Sequence, residues 1–182
     1  MNKAIGMVEY KTVSQGMYVT DRMLKTAETQ LVEAQTVCPG KYIAIISGEL
    51  SAVKACIDTA RIHHSEQLID SFILGNPHEA IFPALYGTTE IAQVRALGIL
   101  ETFSAASIFV AADVAAKTAL VELIELRVAR GMCGKSYLLI TGEIAAVEAA
   151  IDKAKKAVGE AAMLLDTSVI ANPDSKLWKS IL

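Results

Sequence analysis

The chain has 182 residues with a mean hydropathy of +0.40, and its 17 basic and 20 acidic side chains give a net charge of −3. The charges are mixed along the chain and form no basic stripe, which argues against nucleic acid as a partner. No apolar run reaches the roughly 20 residues of a membrane-spanning helix, no signal peptide is recognisable, and an odd number of cysteines argues against a disulfide framework. We therefore expect a protein of a reducing cytoplasm, without membrane contact, that buries apolar surface between subunits as well as within them.

Each half of the chain predicts the same order of elements. In the first half, hydrophobic periodicity predicts strands at 4–9, 31–37, 42–47 and 71–75, and helices at 14–29, from 47 onwards and at 76–82. The order βαββαβα predicts an α+β fold of the ferredoxin-like kind, with an antiparallel sheet and helices on one face. Residues 86–90 have the composition of a linker, so we place one domain at 1–90 and a second at 91–182.

The two halves are copies of each other. Identical residues recur at a shift of 92 before the loop around residue 40 and at a shift of 94 after it, because the second half carries two extra residues there. The matching pairs include Gly6 with Gly98, Asp21 with Asp113, Lys25 with Lys117, Gly40 with Gly134 and Lys41 with Lys135. We interpret this pattern as a tandem duplication.

A cysteine stands in the loop before the third strand of each copy. Cys38 directly precedes Pro39 and Gly40, a pair typical of a tight turn, and Cys133 precedes Gly134. A cysteine taken alone is most often a small buried residue, which is the role we expect for Cys56 on the apolar face of a helix. The residues by themselves leave the role of the two loop cysteines open.

Several of these stretches together resemble the bacterial microcompartment shell domain, or BMC domain. Two copies in one chain resemble a tandem-domain (BMC-T) shell protein of the propanediol-utilisation type. The resemblance implies a structural protein without enzymatic activity, forming a pseudo-hexameric homotrimer that tiles with other shell proteins around enclosed enzymes in the bacterial cytoplasm. The stretches that carry it are 4–9 (AIGMVE), Asp21 with Lys25, Gly40-Lys41 and Ser47-Gly48-Glu49 with Ala52-Val53.

The same resemblance implies roles for particular residues. Cys38 from each of three protomers would hold one [4Fe–4S] cluster on the three-fold axis and so permit electron transfer across the shell, with enclosed redox enzymes as further partners. Cys133 is a weaker candidate ligand. Lys25 and Lys117 match the lysine that lies along the edge of a neighbouring oligomer. The implied pore loops comprise Pro39, Gly40, Lys41, Met132, Cys133, Gly134 and Lys135.

The residues leave two alternatives open. The same trimeric tile could offer an open or gated pore for metabolite transport, with Cys38 lining it and no cluster. The chain could also be a ligand-sensing protein built from two ferredoxin-like repeats.

Overall fold

A computed structural model describes residues 4–159 and 163–182. The helices and strands of the first copy are β1 (Ala4–Tyr10), α1 (Val13–Thr26), β2 (Gln30–Val37), β3 (Lys41–Gly48), α2 (Leu50–His63), β4 (Leu68–Gly75) and α3 (Ile81–Tyr86). Those of the second copy are β5 (Ala96–Thr102), α4 (Ala105–Thr118), β6 (Val121–Arg127), β7 (Ser136–Gly142), α5 (Ile144–Gly159), β8 (Leu164–Ile170) and α6 (Ser175–Ile181). The βαββαβα order predicted for each copy is confirmed.

Each copy contributes one four-stranded sheet. The strand orders are β2-β3-β1-β4 and β6-β7-β5-β8, and every neighbouring pair is antiparallel. Even the irregularities repeat, since the register shifts after Glu9 in β1 and after Glu101 in β5. The duplication therefore extends to the details of strand pairing, and the predicted α+β, ferredoxin-like arrangement is confirmed.

The described residues form two compact units that do not follow a single cut in the sequence. Unit 1 contains the residues up to Pro77 together with Ser104–Ser107 and Ala129–Gly134. Unit 2 contains the described residues of His78–Phe103, Ile108–Val128 and Lys135–Leu182. The start of α4 and the loop with Cys133 thus belong to unit 1, whereas α3 belongs to unit 2.

The core of unit 1 lies between the first sheet and helices α1 and α2. Val19 and Met23 of α1, one helical turn apart, face Val53 and Ile57 of α2 in the same cluster of fully buried side chains. Cys56 is also fully buried, and its thiol donates a hydrogen bond to the carbonyl oxygen of Met23 at 3.0 Å. The prediction that Cys56 is a core residue is confirmed.

The core of unit 2 packs both faces of the second sheet. On one face, Trp178 of α6 packs against Leu97, Ile124 and Leu139. On the other face, Val147 of α5 and its helical neighbours lie against the centre of the sheet. The prediction of helices on one face of the sheet is therefore wrong for unit 2, where α5 and α6 lie on opposite faces.

The predicted helix at 76–82 is wrong in position, because α3 runs from Ile81 to Tyr86. Asn76 has a φ of +54°, which no α-helix accommodates, and Pro77 follows it. His78 then accepts a hydrogen bond at Nδ1 from the Ala80 N–H at 3.3 Å, which holds a turn ahead of the helix. Gly87, at φ +65°, ends α3, so the linker begins one residue later than predicted.

We expect Gly16→Ala to destabilise the protein, although alanine is the better helix former. A Cβ on Gly16 would lie 2.4 Å from the Tyr42 Cβ, so α1 could not keep its distance from β3. Overpacking of this kind costs about 1–3 kcal/mol. The urea midpoint of unfolding measures the change. Gly159→Ala is the matched control, because nothing lies within 4 Å of its Cβ position. Equal midpoints for the two variants would contradict this account of the α1 contact.

Candidate functional site at the two cysteine loops

The first cysteine loop, Cys38–Gly40, joins β2 to β3 as a tight hairpin. The Gly40 N–H donates to the Val37 carbonyl oxygen at 3.0 Å, and Gly40 has a φ of +90° that favours glycine. Val37 is buried and pairs with Lys41 across the base of the hairpin. Cys38 is exposed and forms no disulfide. Its thiol therefore stands at the tip of a hairpin whose base is fixed.

The second cysteine loop, residues 128–135, joins β6 to β7 and is much longer. Ala129 and Lys135, which align with Val37 and Lys41, both lie outside the strands, so the loop exceeds what two inserted residues alone predict. Cys133 is exposed, with a φ of +53°. Positive φ values at Ala129, Gly131, Cys133 and Gly134 give this loop its compact course.

The two loops meet within unit 1. A Cβ on Gly134 would lie 2.7 Å from Lys41 Nζ and 3.3 Å from the Cys38 carbonyl oxygen, and the φ of +87° at this position also favours glycine. Arg130 forms an ion pair with Glu33 of β2, which ties the second loop to the first hairpin. The structure therefore brings together the two loops that the sequence resemblance assigned to a pore.

Lys41 is held by a buried carboxylate. Its Nζ lies 2.8 Å from Oε1 of Glu9, whose side chain is 0% exposed, against 19% for Lys41. The other oxygen, Glu9 Oε2, accepts a hydrogen bond at 3.0 Å from the N–H of Ala105, the first residue of α4. The positive end of that helix and the Lys41 ammonium together balance the buried charge. Sequence reasoning missed Glu9, although a carboxylate inside the otherwise apolar strand β1 was a usable signal.

A second carboxylate, Asp70, lies beside Glu9 in the sheet register. Asp70 Oδ2 accepts hydrogen bonds from the hydroxyls of Ser104 at 2.5 Å and Ser107 at 3.2 Å. The Ser107 N–H in turn donates to Ser104 Oγ at 3.1 Å, as expected for a helix N-cap. Glu9 and Asp70 thus accept hydrogen bonds from the first turn of α4. We call this set, Glu9 and Asp70 with Ser104, Ala105 and Ser107, the helix-start contact. All of its members belong to unit 1.

Tyr137 follows the second cysteine loop on β7. Its hydroxyl donates to Glu125 Oε2 at 2.7 Å, and the Arg127 guanidinium lies 5.7 Å from the centre of its ring. Burial, reinforced by the hydrogen bond to Glu125, raises the pKa of Tyr137 to about 12. The phenol therefore stays protonated near neutral pH and is a hydrogen-bond donor rather than a base.

One chain does not assemble a metal site by itself from the residues that the structure describes. Among residues 4–159 and 163–182, no group of three or more His, Cys, Asp or Glu side chains lies close enough to hold a metal ion. The chemistry of Cys38 nevertheless suits an iron–sulfur cluster, because its thiol is unpaired, exposed and carried on a fixed turn. A cluster at this position would need thiolates from more than one chain.

The two lysines predicted at oligomer edges lie on helix surfaces. Lys25 Nζ contacts Asp21 at 2.7 Å and Lys117 Nζ contacts Asp113 at 2.7 Å, each with i,i+4 spacing. Asp113 also accepts a hydrogen bond from the His78 N–H at 2.8 Å within unit 2. The edge role of both lysines stays a prediction.

Comparison with known proteins decides the family. The BMC domain matches residues 4–77 and 96–173, once in each copy of the repeat. The chain belongs to the BMC family of microcompartment shell proteins. The bacterial microcompartment shell protein PduT of Citrobacter freundii is 35% identical over 100% of this chain and 99% of its own. The carboxysome assembly protein CcmO of Synechococcus elongatus is 26% identical over 98% of this chain and 68% of its own.

A solved structure agrees with this assignment. The crystal structure of a microcompartments protein from Desulfitobacterium hafniense DCB is 40% identical, with a TM-score of 0.86, and the match covers 97% of this chain and 98% of that one. The predictions of a tandem BMC shell protein and of a structural rather than an enzymatic role are confirmed by the family. Within the described residues, no helix is long and apolar enough to cross a membrane.

We expect Lys41→Met to destabilise the protein by about 3 kcal/mol, because it leaves the buried Glu9 carboxylate without its cation. Lys135→Met is the matched control at the equivalent position of the second copy, where the side chain is exposed, and it should change stability by less than about 0.5 kcal/mol. Chemical denaturation of both variants measures the difference. Adding Glu9→Gln to Lys41→Met should recover part of the loss, and a further loss of stability would contradict the proposed charge balance.

Proposed function

We propose that this shell protein is a homotrimeric tile in which Cys38 of three protomers holds one [4Fe–4S] cluster on the three-fold axis. The main structural support is the exposed Cys38 thiol at the tip of the first hairpin. The ion pair between Glu9 and Lys41 fixes the base of that hairpin. The sequence resemblance to tandem shell proteins of the propanediol-utilisation type supports the same ligand. The proposed role is electron transfer across the shell of a microcompartment in the bacterial cytoplasm.

The number of available thiols favours a shared site. Iron–sulfur clusters are held by cysteine thiolates. Within the described part of one chain, the exposed cysteines are Cys38 and Cys133, while Cys56 is buried in the core. Three-fold symmetry turns one Cys38 per chain into three ligands around an axis, and water or a small ligand would complete the fourth iron.

Cys133 is the less suitable ligand on local geometry. Cys38 projects from a three-residue turn closed by a hydrogen bond, whereas Cys133 lies inside an eight-residue loop at positive φ. A ligand that must meet two symmetry copies benefits from a fixed position, since ordering a longer loop costs more entropy. We therefore assign the cluster to Cys38 and give Cys133 no ligand role.

A bound cluster would supply one-electron chemistry. An electron would pass from a one-electron carrier on one side of the shell to another on the opposite side, for example between enclosed redox enzymes and external carriers. The residues of this chain would hold and orient the cluster. Lys41 is balanced by Glu9, so this pair adds no net charge beside the thiolates.

The second candidate function is a trimeric tile with an open or gated pore for metabolites and no cluster. The observation that favours it is the exposure of small and polar loop groups, among them Gly40 and Lys135. Exposed lysines lining a pore would raise the local concentration of anionic metabolites.

Anaerobic reconstitution with iron and sulfide tests the cluster. We expect about four irons per trimer, with visible charge-transfer absorbance and an EPR signal after reduction. Cys38→Ser should abolish all three, and Cys133→Ser should retain them. Both substitutions fall on exposed loop positions, so circular dichroism and the molar mass of each variant should match the unsubstituted protein.

Two results would count against the proposal. If neither the unsubstituted trimer nor the Cys38→Ser trimer binds iron, the pore tile is the better account. Loss of iron on Cys133→Ser but not on Cys38→Ser would move the cluster to the second cysteine loop.

A further inference from the structure

We infer that Glu101 and Asp166 form a docking site for the start of α1 of a second copy of this chain. The inference deepens the proposed trimer, on which it rests, by naming the side chains that join one protomer to the next. It follows from the helix-start contact of unit 1. The carboxylate pair and the helix start that form this contact each occur a second time in the described residues, where they do not meet each other.

The filled version is the helix-start contact in unit 1. Glu9 and Asp70 occupy facing positions on β1 and β4 and accept hydrogen bonds from the first turn of α4. Glu9 is 0% exposed and Ser104 is 2% exposed, while Asp70 at the margin of the contact is partly exposed. A pair of acceptors on two neighbouring strands of one sheet thus binds the positive end of a helix and its capping serine.

The acceptor half recurs in unit 2. Glu101 and Asp166 occupy the equivalent facing positions on β5 and β8, directly before the same register shift. Asp166 Oδ1 accepts from the next backbone N–H at 2.8 Å, as Asp70 Oδ1 does. Asp166 is exposed and Glu101 is partly exposed, and among residues 4–159 and 163–182 the Glu101 carboxylate has no hydrogen-bond donor.

The helix half recurs at the start of α1. Thr12 and Val13 align with Ser104 and Ala105 of the filled contact. Thr12 is the N-cap of α1, yet its side chain makes no capping hydrogen bond and is exposed. The first turn of α1 contains no acidic side chain that could offset its positive end.

These two unused halves complement each other in charge and in hydrogen bonding. Joining the acceptor pair of one chain to the α1 start of the next would repeat a contact already observed within the chain, with Thr12 in place of Ser104 and the amide of Gln15 in place of the Ser107 hydroxyl. Such a head-to-tail interface uses two different surfaces of each protomer. Both surfaces of every protomer are occupied only when the chains close into a ring. A second copy of the chain is therefore the occupant that fits.

Charge removal tests the docking site. We expect Glu101→Gln with Asp166→Asn to weaken association at least tenfold, as seen by analytical ultracentrifugation over a dilution series, because both acceptors lose their charge. Glu148→Gln with Asp152→Asn is the matched control, since it removes the same charge from exposed positions on α5 and should leave association unchanged. Equal association of the two double variants would overturn the inference.

Cross-linking tests the pairing directly and independently of the cluster. In a Cys38→Ser, Cys133→Ser background, Thr12→Cys with Asp166→Cys should oxidise to covalent dimers and trimers, with the trimer as the end product on non-reducing gels. Thr12→Cys with Glu148→Cys is the control and should stay monomeric on the gel.

The outcomes separate this inference from the proposed function. A protein with the mass of a trimer that does not cross-link through these positions would overturn the docking site and leave the trimer standing. A monomer at every concentration would overturn both. Cross-linked trimers from a chain that binds no iron when its cysteines are intact would support the docking site and contradict the cluster.

Discussion

The buried carboxylate of Glu9 is the constraint on which the rest of unit 1 depends. A charge removed from water is tolerated only when its partners replace the lost hydration. Glu9 has two such partners from distant parts of the chain, the Lys41 ammonium and the N–H of Ala105. One side chain on β1 thereby fixes both the base of the first hairpin and the start of α4. Movement of either would leave the buried carboxylate without one of its partners.

The position of the first cysteine loop follows from that constraint. Lys41 is the first residue of β3 and pairs with Val37, so holding Lys41 holds both strands where the turn begins. The second loop approaches this point at Gly134, where the absence of a side chain leaves the Lys41 ammonium in place beside Glu9. Cys38 is thus exposed and yet well placed, a combination that a ligand shared between symmetry copies requires.

The sequence predicted the parts that depend on local pattern. Alternation and helical spacing predicted the order of elements and the burial of Cys56, and self-similarity revealed the duplication. It did not find the helix-start contact, because Glu9 and Ala105 are 96 residues apart and no local pattern links them. It also placed α3 too early, since apolar spacing does not reveal that Asn76 adopts positive φ. Local sequence patterns predict neither contacts between distant residues nor the backbone angle of a single residue.

The duplication produced two similar sequences in unequal environments. Glu9 is fully buried and Asp70 is partly exposed, whereas their counterparts Glu101 and Asp166 are partly exposed and exposed, respectively. A carboxylate inside a strand has low strand propensity and contributes little when it is solvated. The proposed contact with a neighbouring chain would give the second pair the partners that the first pair has within unit 1. In the first copy, Glu9 and Asp70 bind the start of α4 of the same chain. By the proposed docking, Glu101 and Asp166 of the second copy bind the start of α1 of the neighbouring chain.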